Sequence, residues 1–288
     1  MIEKKAENKV CCKVCFRHCS LADGETGACR TRKNKAGEVV SINYGVLTSL
    51  ALDPIEKKPL SMFCPGSMIL SAGSFGCNLR CPFCQNHEIS YAGEREAGSL
   101  GVRYISPEEL VDTALRLKER GNIGIAFTYN EPLMSWEYVR DAASLSHEKG
   151  MKNVLVSNGT AEPEVLREIL PFIDAMNIDL KAFDKDKYSK ILGGDLEQTQ
   201  AFISEAAKHV HMEITTLVVP GFNDDNSEIE NASKWIASLN NGKNIPYHLT
   251  RFFPGFNMTD RDATPVNRIF ELRDIAAKYL DNVYVGNV

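Results

Sequence analysis

The sequence predicts an α/β protein: an open, partial (β/α)6 barrel of TIM type behind a small cysteine-rich N-terminal segment. Short apolar runs alternate with longer amphipathic segments after residue 68, the pattern of strand–helix units around a parallel sheet. There are six such units, too few for a closed eight-stranded barrel. Cys11, Cys12, Cys15, Cys19 and Cys29 crowd a stretch with neither helical nor strand period, which sets the N-terminus apart. The expected division is a metal-binding segment over 1–37, a hairpin and connecting loop over 38–67, and the barrel over 68–288.

The strands are expected at 68–72, 123–128, 153–156, 175–180, 213–219 and 247–252. The helices are expected at 107–120, 136–149, 163–170, 196–209, 227–238 and 266–280. Ser106 is placed to cap the first helix, Pro107 fits its first turn, and Glu109 completes a capping box. Leu110, Val111, Ala114, Leu115 and Leu117 give it one apolar face. Gly121 and Gly150 follow the first two helices where a left-handed residue is wanted. Ligands of such a barrel gather at the carboxyl ends of the strands, so the chemistry should lie just after each strand.

With 43% hydrophobic and 25% charged residues the chain reads as an ordinary globular protein. No apolar run approaches the roughly 20 residues of a membrane span, and the start Met1-Ile2-Glu3-Lys4-Lys5 is unlike a signal peptide, so a cytoplasmic location is expected. The net charge of −5 gives no general reason to expect nucleic-acid binding. Residues 1–35 nevertheless carry nine Lys/Arg, Lys4 and Lys5 among them, against four acids. That excess suits a solvated basic tail or the docking of an acidic partner.

Nine cysteines at close spacings, without an export signal, point to metal rather than disulfides. The strand at 68–72 runs into Gly73-Ser74-Phe75-Gly76-Cys77-Asn78-Leu79-Arg80-Cys81-Pro82-Phe83-Cys84. A C-x3-C-x2-C loop brings three thiolates to one side of a [4Fe-4S] cluster and leaves one iron open to a further ligand. The competing reading is a zinc site completed by His87. At the N-terminus Cys12, Cys15, Cys19 and Cys29 form C-x2-C-x3-C-x9-C, suited first to structural zinc and second to an auxiliary iron-sulfur cluster.

The triad's spacing and place resemble radical S-adenosylmethionine (SAM) enzymes, and later segments resemble pyruvate formate-lyase activating enzymes. In that family the open iron chelates SAM, and an electron from the cluster cleaves it to methionine and a 5'-deoxyadenosyl radical. By this resemblance Phe83 packs beside SAM's adenine. Thr128-Tyr129-Asn130-Glu131-Pro132 is similar to G-G-E-P, which implies SAM contacts for Asn130 and Glu131. Ser157-Asn158-Gly159-Thr160 is similar to D-T-N-G and implies them for Ser157 and Asn158, with Val156 in the place of the aspartate. Asp179-Leu180-Lys181 matches D-L-K and assigns Asp179 and Lys181 to the site, Asp179 both for SAM and for catalysis. His248 is expected near adenine or substrate. Without the resemblance, Glu131 reads as a helix N-terminal acid, Asp179 and Lys181 as a surface pair, and His248 as a core histidine.

The similarity narrows to the AmmeMemoRadiSam-system radical SAM proteins through Cys12-Lys13-Val14-Cys15, Asp53-Pro54-Ile55-Glu56-Lys57-Lys58-Pro59-Leu60 and Cys84-Gln85-Asn86. That narrower similarity supplies no substrate; the resemblance to the activating enzymes implies reduced flavodoxin or ferredoxin as electron donor and hydrogen abstraction from a protein glycine or another carbon. An RNA or small-molecule modifier, and an electron-transfer protein, are the competing functions.

Overall fold

In the computed structural model, which describes residues 9–288, one eight-stranded sheet carries the fold; Lys4 and Lys5 of the basic stretch lie outside the described residues. β1 (Ser49–Pro54) runs antiparallel to β2 (Met68–Gly73). β3 (Asn122–Phe127), β4 (Lys152–Ser157), β5 (Ala175–Asp179), β6 (His211–Val218), β7 (Tyr247–Arg251) and β8 (Val283–Gly286) then follow in chain order, each parallel to its predecessor. β1 and β8 end the strand order without pairing with each other, so the barrel is open.

Six helices separate the parallel strands: α1 (Pro107–Arg116), α2 (Trp136–Glu148), α3 (Pro163–Ile169), α4 (Leu196–Ala206), α5 (Asn226–Ala237) and α6 (Val266–Ala276). The six expected units are all present. The sheet gains β1 and β8, which the sequence reading did not place. Several helices end a few residues early because the last turn tightens: α1 stops at Arg116, and Lys118–Arg120 continues as a 3-10 turn.

Local chemistry accounts for the boundaries. Ser106 Oγ accepts from Glu109 N at 3.2 Å while Ser106 N donates to Glu109 Oε2 at 2.9 Å, the reciprocal box expected for α1. Gly121 and Gly150 take φ of +82° and +69°, which a side chain would disfavour.

The segment between β1 and β2 enters the barrel from the amino ends of the strands. Ile55 and Leu60, both fully buried, pack on Ile69, Ala126, Val154 and Ala175. The small side chains at 126 and 175 leave room for this plug, whose burial contributes on the order of 2 kcal/mol per large apolar side chain. Two short antiparallel pairs, Val10–Cys11 with Ser20–Leu21 and Arg32–Lys35 with Glu38–Ser41, build the N-terminal lobe. The expected division at 37/38 thus falls in a hairpin turn, and that at 67/68 runs between two paired strands. Arg32, 1% exposed, ties the lobe down: Nε donates to Met134 O at 2.8 Å and the two terminal nitrogens grip Glu137 at 2.6 Å each. Removing one partner of such a pair costs about 3 kcal/mol. Among the described residues no helix is long and apolar enough to cross a membrane.

Candidate active site

The loop after β2 is bent by two glycines. A Cβ at Gly73 would come within 2.7 Å of the Tyr129 ring, and one at Gly76, whose φ is +82°, within 2.7 Å of Cys29 O. Asn130 holds the bend: its Nδ2 donates to Phe75 O and Gly76 O at 3.1 and 3.0 Å, and its Oδ1 accepts from Ser74 N at 3.0 Å. Both ends of the amide are therefore engaged by the loop itself.

Cys77, Cys81 and Cys84 follow this bend and line one cavity of about 780 Å³ inside the strands' carboxyl ends. Leu79 N donates to Cys77 Sγ at 3.4 Å and Asn158 Nδ2 at 3.7 Å. Burial pushes the Cys77 thiol well up, with the Glu131 carboxylate adding to the effect. Burial likewise pushes Cys81 up to about 12, against the opposing ammonium of Lys181. A thiol that burial keeps protonated, yet supplied with two donors at sulfur as Cys77 is, suits a cationic centre that would hold it as a thiolate. The loop and its donors fit an iron-sulfur cluster on these three residues.

Behind Cys77 lies a ring of polar side chains. Asn158 Nδ2 donates to Asn78 Oδ1 at 2.9 Å, Asn78 Nδ2 to Thr160 Oγ1 at 2.8 Å, and Thr160 Oγ1 to Asn158 Oδ1 at 2.5 Å. Glu131, 2% exposed, accepts from Ser157 Oγ at 2.8 Å, Asn158 N at 2.8 Å and Leu133 N at 3.1 Å. Burial raises its carboxyl to about 7 despite these donors. Glu131, Ser157 and Asn158 all line the cavity, but the hydrogen bonds they make here are to the protein.

Lys181 Nζ meets Asp179 Oδ2 at 2.8 Å at the cavity end of β5. Burial disfavours the ammonium, but Asp179 and Cys81 outweigh it and hold Lys181 well above the usual range. The pair lines the cavity beside the triad rather than standing on the outer surface. Phe83, buried, lies 5.6 Å from Phe222 between ring centres. His248 also lines the cavity, its Nε2 2.6 Å from Glu213 Oε2 and its ring stacked on Tyr284 at 5.3 Å. The expected triad, Asp179, Lys181, His248, Phe83, Asn130, Glu131, Ser157 and Asn158 thus share one cavity.

Sequence reasoning missed part of the wall. Lys58, 2% exposed, reaches the cavity from the plug, pairing with Asp53 Oδ2 at 2.8 Å, and Tyr129 OH donates to the same oxygen at 2.6 Å. Burial lowers the Lys58 ammonium, with Asp53 opposing. Glu213, fully buried on β6, joins His211, His248 and the plug's amides. A lone acid inside a β-branched strand was the available signal for Glu213; nothing marks Lys58 as buried.

Cys12, Cys15 and Cys29 are buried and Cys19 partly so, all as free thiols. Cys12 N donates to Cys19 O at 2.9 Å, and Thr31 Oγ1 to Cys29 Sγ at 3.4 Å. Among the described residues no three His, Cys, Asp or Glu side chains form a group that could hold one metal ion. The lobe abuts the triad loop, where Arg17 Nε donates to Asn78 O at 2.7 Å.

Comparison with known proteins gives the site a family. The Radical SAM superfamily profile matches residues 73–235, more than half of the chain and the part that carries the triad. The chain belongs to the radical SAM superfamily. It is an enzyme, with the radical SAM chemistry, iron-sulfur cluster and SAM that the family implies. An uncharacterized protein of Methanocaldococcus jannaschii is 38% identical over 99% of this chain and 84% of its own length. A pyruvate formate-lyase-activating enzyme of Clostridium pasteurianum is 28% identical over 70% of this chain and 81% of its own. Streptococcus suis SuiB, solved with SAM bound, shares the fold with a TM-score of 0.57 at 12% identity, over 75% of this chain and 49% of its own.

Proposed function

We propose that this radical SAM enzyme holds a [4Fe-4S] cluster on Cys77, Cys81 and Cys84, binds SAM against it, and takes a hydrogen atom from a carbon of its substrate. The observation that carries the reading is the convergence of the triad, the Asp179–Lys181 pair, Glu131 and Phe83 on one cavity. When bound, the cluster supplies the electron that splits SAM into methionine and a 5'-deoxyadenosyl radical.

The chain's own residues do the rest. Phe83 offers an apolar face for the adenine. Asp179 and Lys181 fix charge at the cavity end of β5, where a misplacement of about 1 Å in a reacting group costs on the order of 100-fold in rate. Glu131 engages Ser157 Oγ and the Asn158 amide, and Asn158 Nδ2 donates to Cys77 Sγ and Asn78 Oδ1. Reduced flavodoxin or ferredoxin supplies the electron, and a second metal, zinc or an auxiliary cluster, belongs to Cys12, Cys15, Cys19 and Cys29, a reading supported by the burial of Cys12, Cys15 and Cys29 and the partial burial of Cys19.

The activating-enzyme relatives favour a glycine of a partner protein as the substrate. The test is to incubate the reduced enzyme and SAM with candidate partners and record electron paramagnetic resonance. A glycyl radical doublet on the partner is expected. A closed-shell modification of RNA or a metabolite, without any protein radical, overturns the glycine and leaves the radical SAM assignment standing.

A further inference from the structure

The triad loop has an inner and an outer face. Cys77, Leu79 and Cys81 line the cavity, while Asn78 and Arg80, which alternate with them, do not. Asn78 spends its side chain on Asn158 and Thr160, and Arg80 is exposed. An electron entering through the cavity would have to cross the space that SAM and substrate need. Over the outer face it crosses only the loop: Arg80 is bonded to Cys81, and Leu79 N reaches Cys77 Sγ at 3.4 Å.

Two guanidinium groups crowd that outer face. The position a Cβ would take on Gly193 lies 2.7 Å from Arg80 Nε and 2.8 Å from Arg17 Nη2, which sets the two side chains next to each other. The arrangement is built by the fold. Arg17 Nε donates to Asn78 O at 2.7 Å and its Nη2 to Gly193 O, and Arg80 N donates to Leu192 O at 2.9 Å. Gly193 stands at φ +64° after the turn Lys187–Leu192, so a side chain there would be both strained and in the way of the arginines.

The acids of the neighbouring segments are committed elsewhere. Asp186 holds Lys190 at 2.9 Å, Glu197 holds Lys185, Glu162 holds His18 at 3.1 Å, and Asp195 accepts from Gln198 N at 3.2 Å. Among the described residues no carboxylate pairs with Arg17 or Arg80, although the chain as a whole carries a net charge of −5. Like charges held together without a counter-charge repel, and an anionic partner relieves that repulsion. The basic excess of residues 1–35 thus has one member, Arg17, fixed against the triad loop. Ile191, 39% exposed and two residues before Gly193, adds apolar surface to the same turn.

We propose that Arg17 and Arg80 dock the protein that delivers the electron, a reduced carrier with carboxylates around its redox centre. The inference rests on the reading that the triad holds the cluster. One electron leaves the carrier and the cluster gains it; no bond forms or breaks in that step. Electron-transfer encounters bury little surface, so a few charges decide how fast the partners meet. The cavity stays free for SAM and substrate while the carrier is bound.

The test measures 5'-deoxyadenosine from the reconstituted enzyme and SAM, driven by reduced flavodoxin or, in a parallel arm, by reduced ferredoxin. The arm in which wild type turns over identifies the carrier. Each value is divided by that of the same sample under dithionite, which needs no docking surface. Binding of the oxidised carrier is read separately by isothermal titration calorimetry at low and high salt. Arg80→Glu should raise the Kd and KM for the carrier about tenfold and flatten their dependence on salt, whereas Arg80→Lys, which keeps the charge, should stay within about twofold of wild type. Arg17→Gln should shift both in the same direction by a smaller factor. Lys149→Glu, an equal change of charge just before β4 and so at the other end of the barrel, should shift neither. Failure of both carriers to drive wild type, unchanged Kd and KM in Arg80→Glu, or an equal shift in Lys149→Glu overturns the proposal. Wild type that releases no 5'-deoxyadenosine under dithionite fails earlier, at the reading of the triad, and the proposal falls with it.

Discussion

Glu213→Gln isolates the buried junction that joins the plug to β6 and β7. The wild-type carboxylate is 0% exposed and accepts from His211, His248, Ser61 N and Met62 N. Burial alone would raise its pKa, but the four donors outweigh it and hold the group down at about 2, from 4.5. That shift corresponds to about 3 kcal/mol of stability at neutral pH. Because the folded value is depressed, the contribution is fully present above the unfolded pKa and is lost as pH falls through the folded one. With an unfolding entropy of about 2 cal/mol/K per residue, the loss lowers Tm by about 5 °C at pH 7. Thermal melts of wild type and variant between pH 7 and 3 check this. The gap should narrow below pH 4.5, and an unchanged Tm at pH 7, or a gap that stays constant into acid, would refute the reasoning.

Asp179→Asn and Lys181→Ala should each lower coupled turnover by at least tenfold while SAM affinity changes less, measured by product yield and by SAM titration; equal activity would return the pair to a passive role. Asn158→Ala removes a donor from Cys77 Sγ and should make the cluster harder to reduce, since hydrogen bonds to sulfur raise its potential. A redox titration followed by electron paramagnetic resonance reads that, and an unmoved midpoint counts against it. Replacing Cys12 and Cys15 together by Ser should lower total zinc or iron without removing the triad's cluster; identical metal content in parent and variant would take the metal away from the N-terminal lobe.

The strand–helix alternation made the six barrel units legible, because each signal is local: Ser106 with Glu109 starts α1, and Gly121 ends the turn that follows it. β8 was passed over although Asp281-Asn282 precede it, since Val283–Gly286 is only four residues long. β1 was hidden for another reason: its pairing with β2 crosses the plug, and register over such a loop is decided by tertiary packing. In the site, the triad was read from its spacing together with its place after the first barrel strand. Lys58 was not, because a lysine in Asp53-Pro54-Ile55-Glu56-Lys57-Lys58 reads as solvent-facing until the barrel closes around it. Asn130 and Asn158 were read for SAM contacts; that their amides also hold the triad loop needs coordinates.

The central claim is that Cys77, Cys81 and Cys84 carry the SAM-cleaving cluster. Anaerobic reconstitution of wild type and of Cys77→Ser, Cys81→Ser and Cys84→Ser, followed by dithionite and SAM, measures it through 5'-deoxyadenosine. Wild type should release 5'-deoxyadenosine and each variant essentially none, because a hydroxyl is a poor substitute for thiolate on iron. Release at the wild-type rate by all three variants would contradict the account.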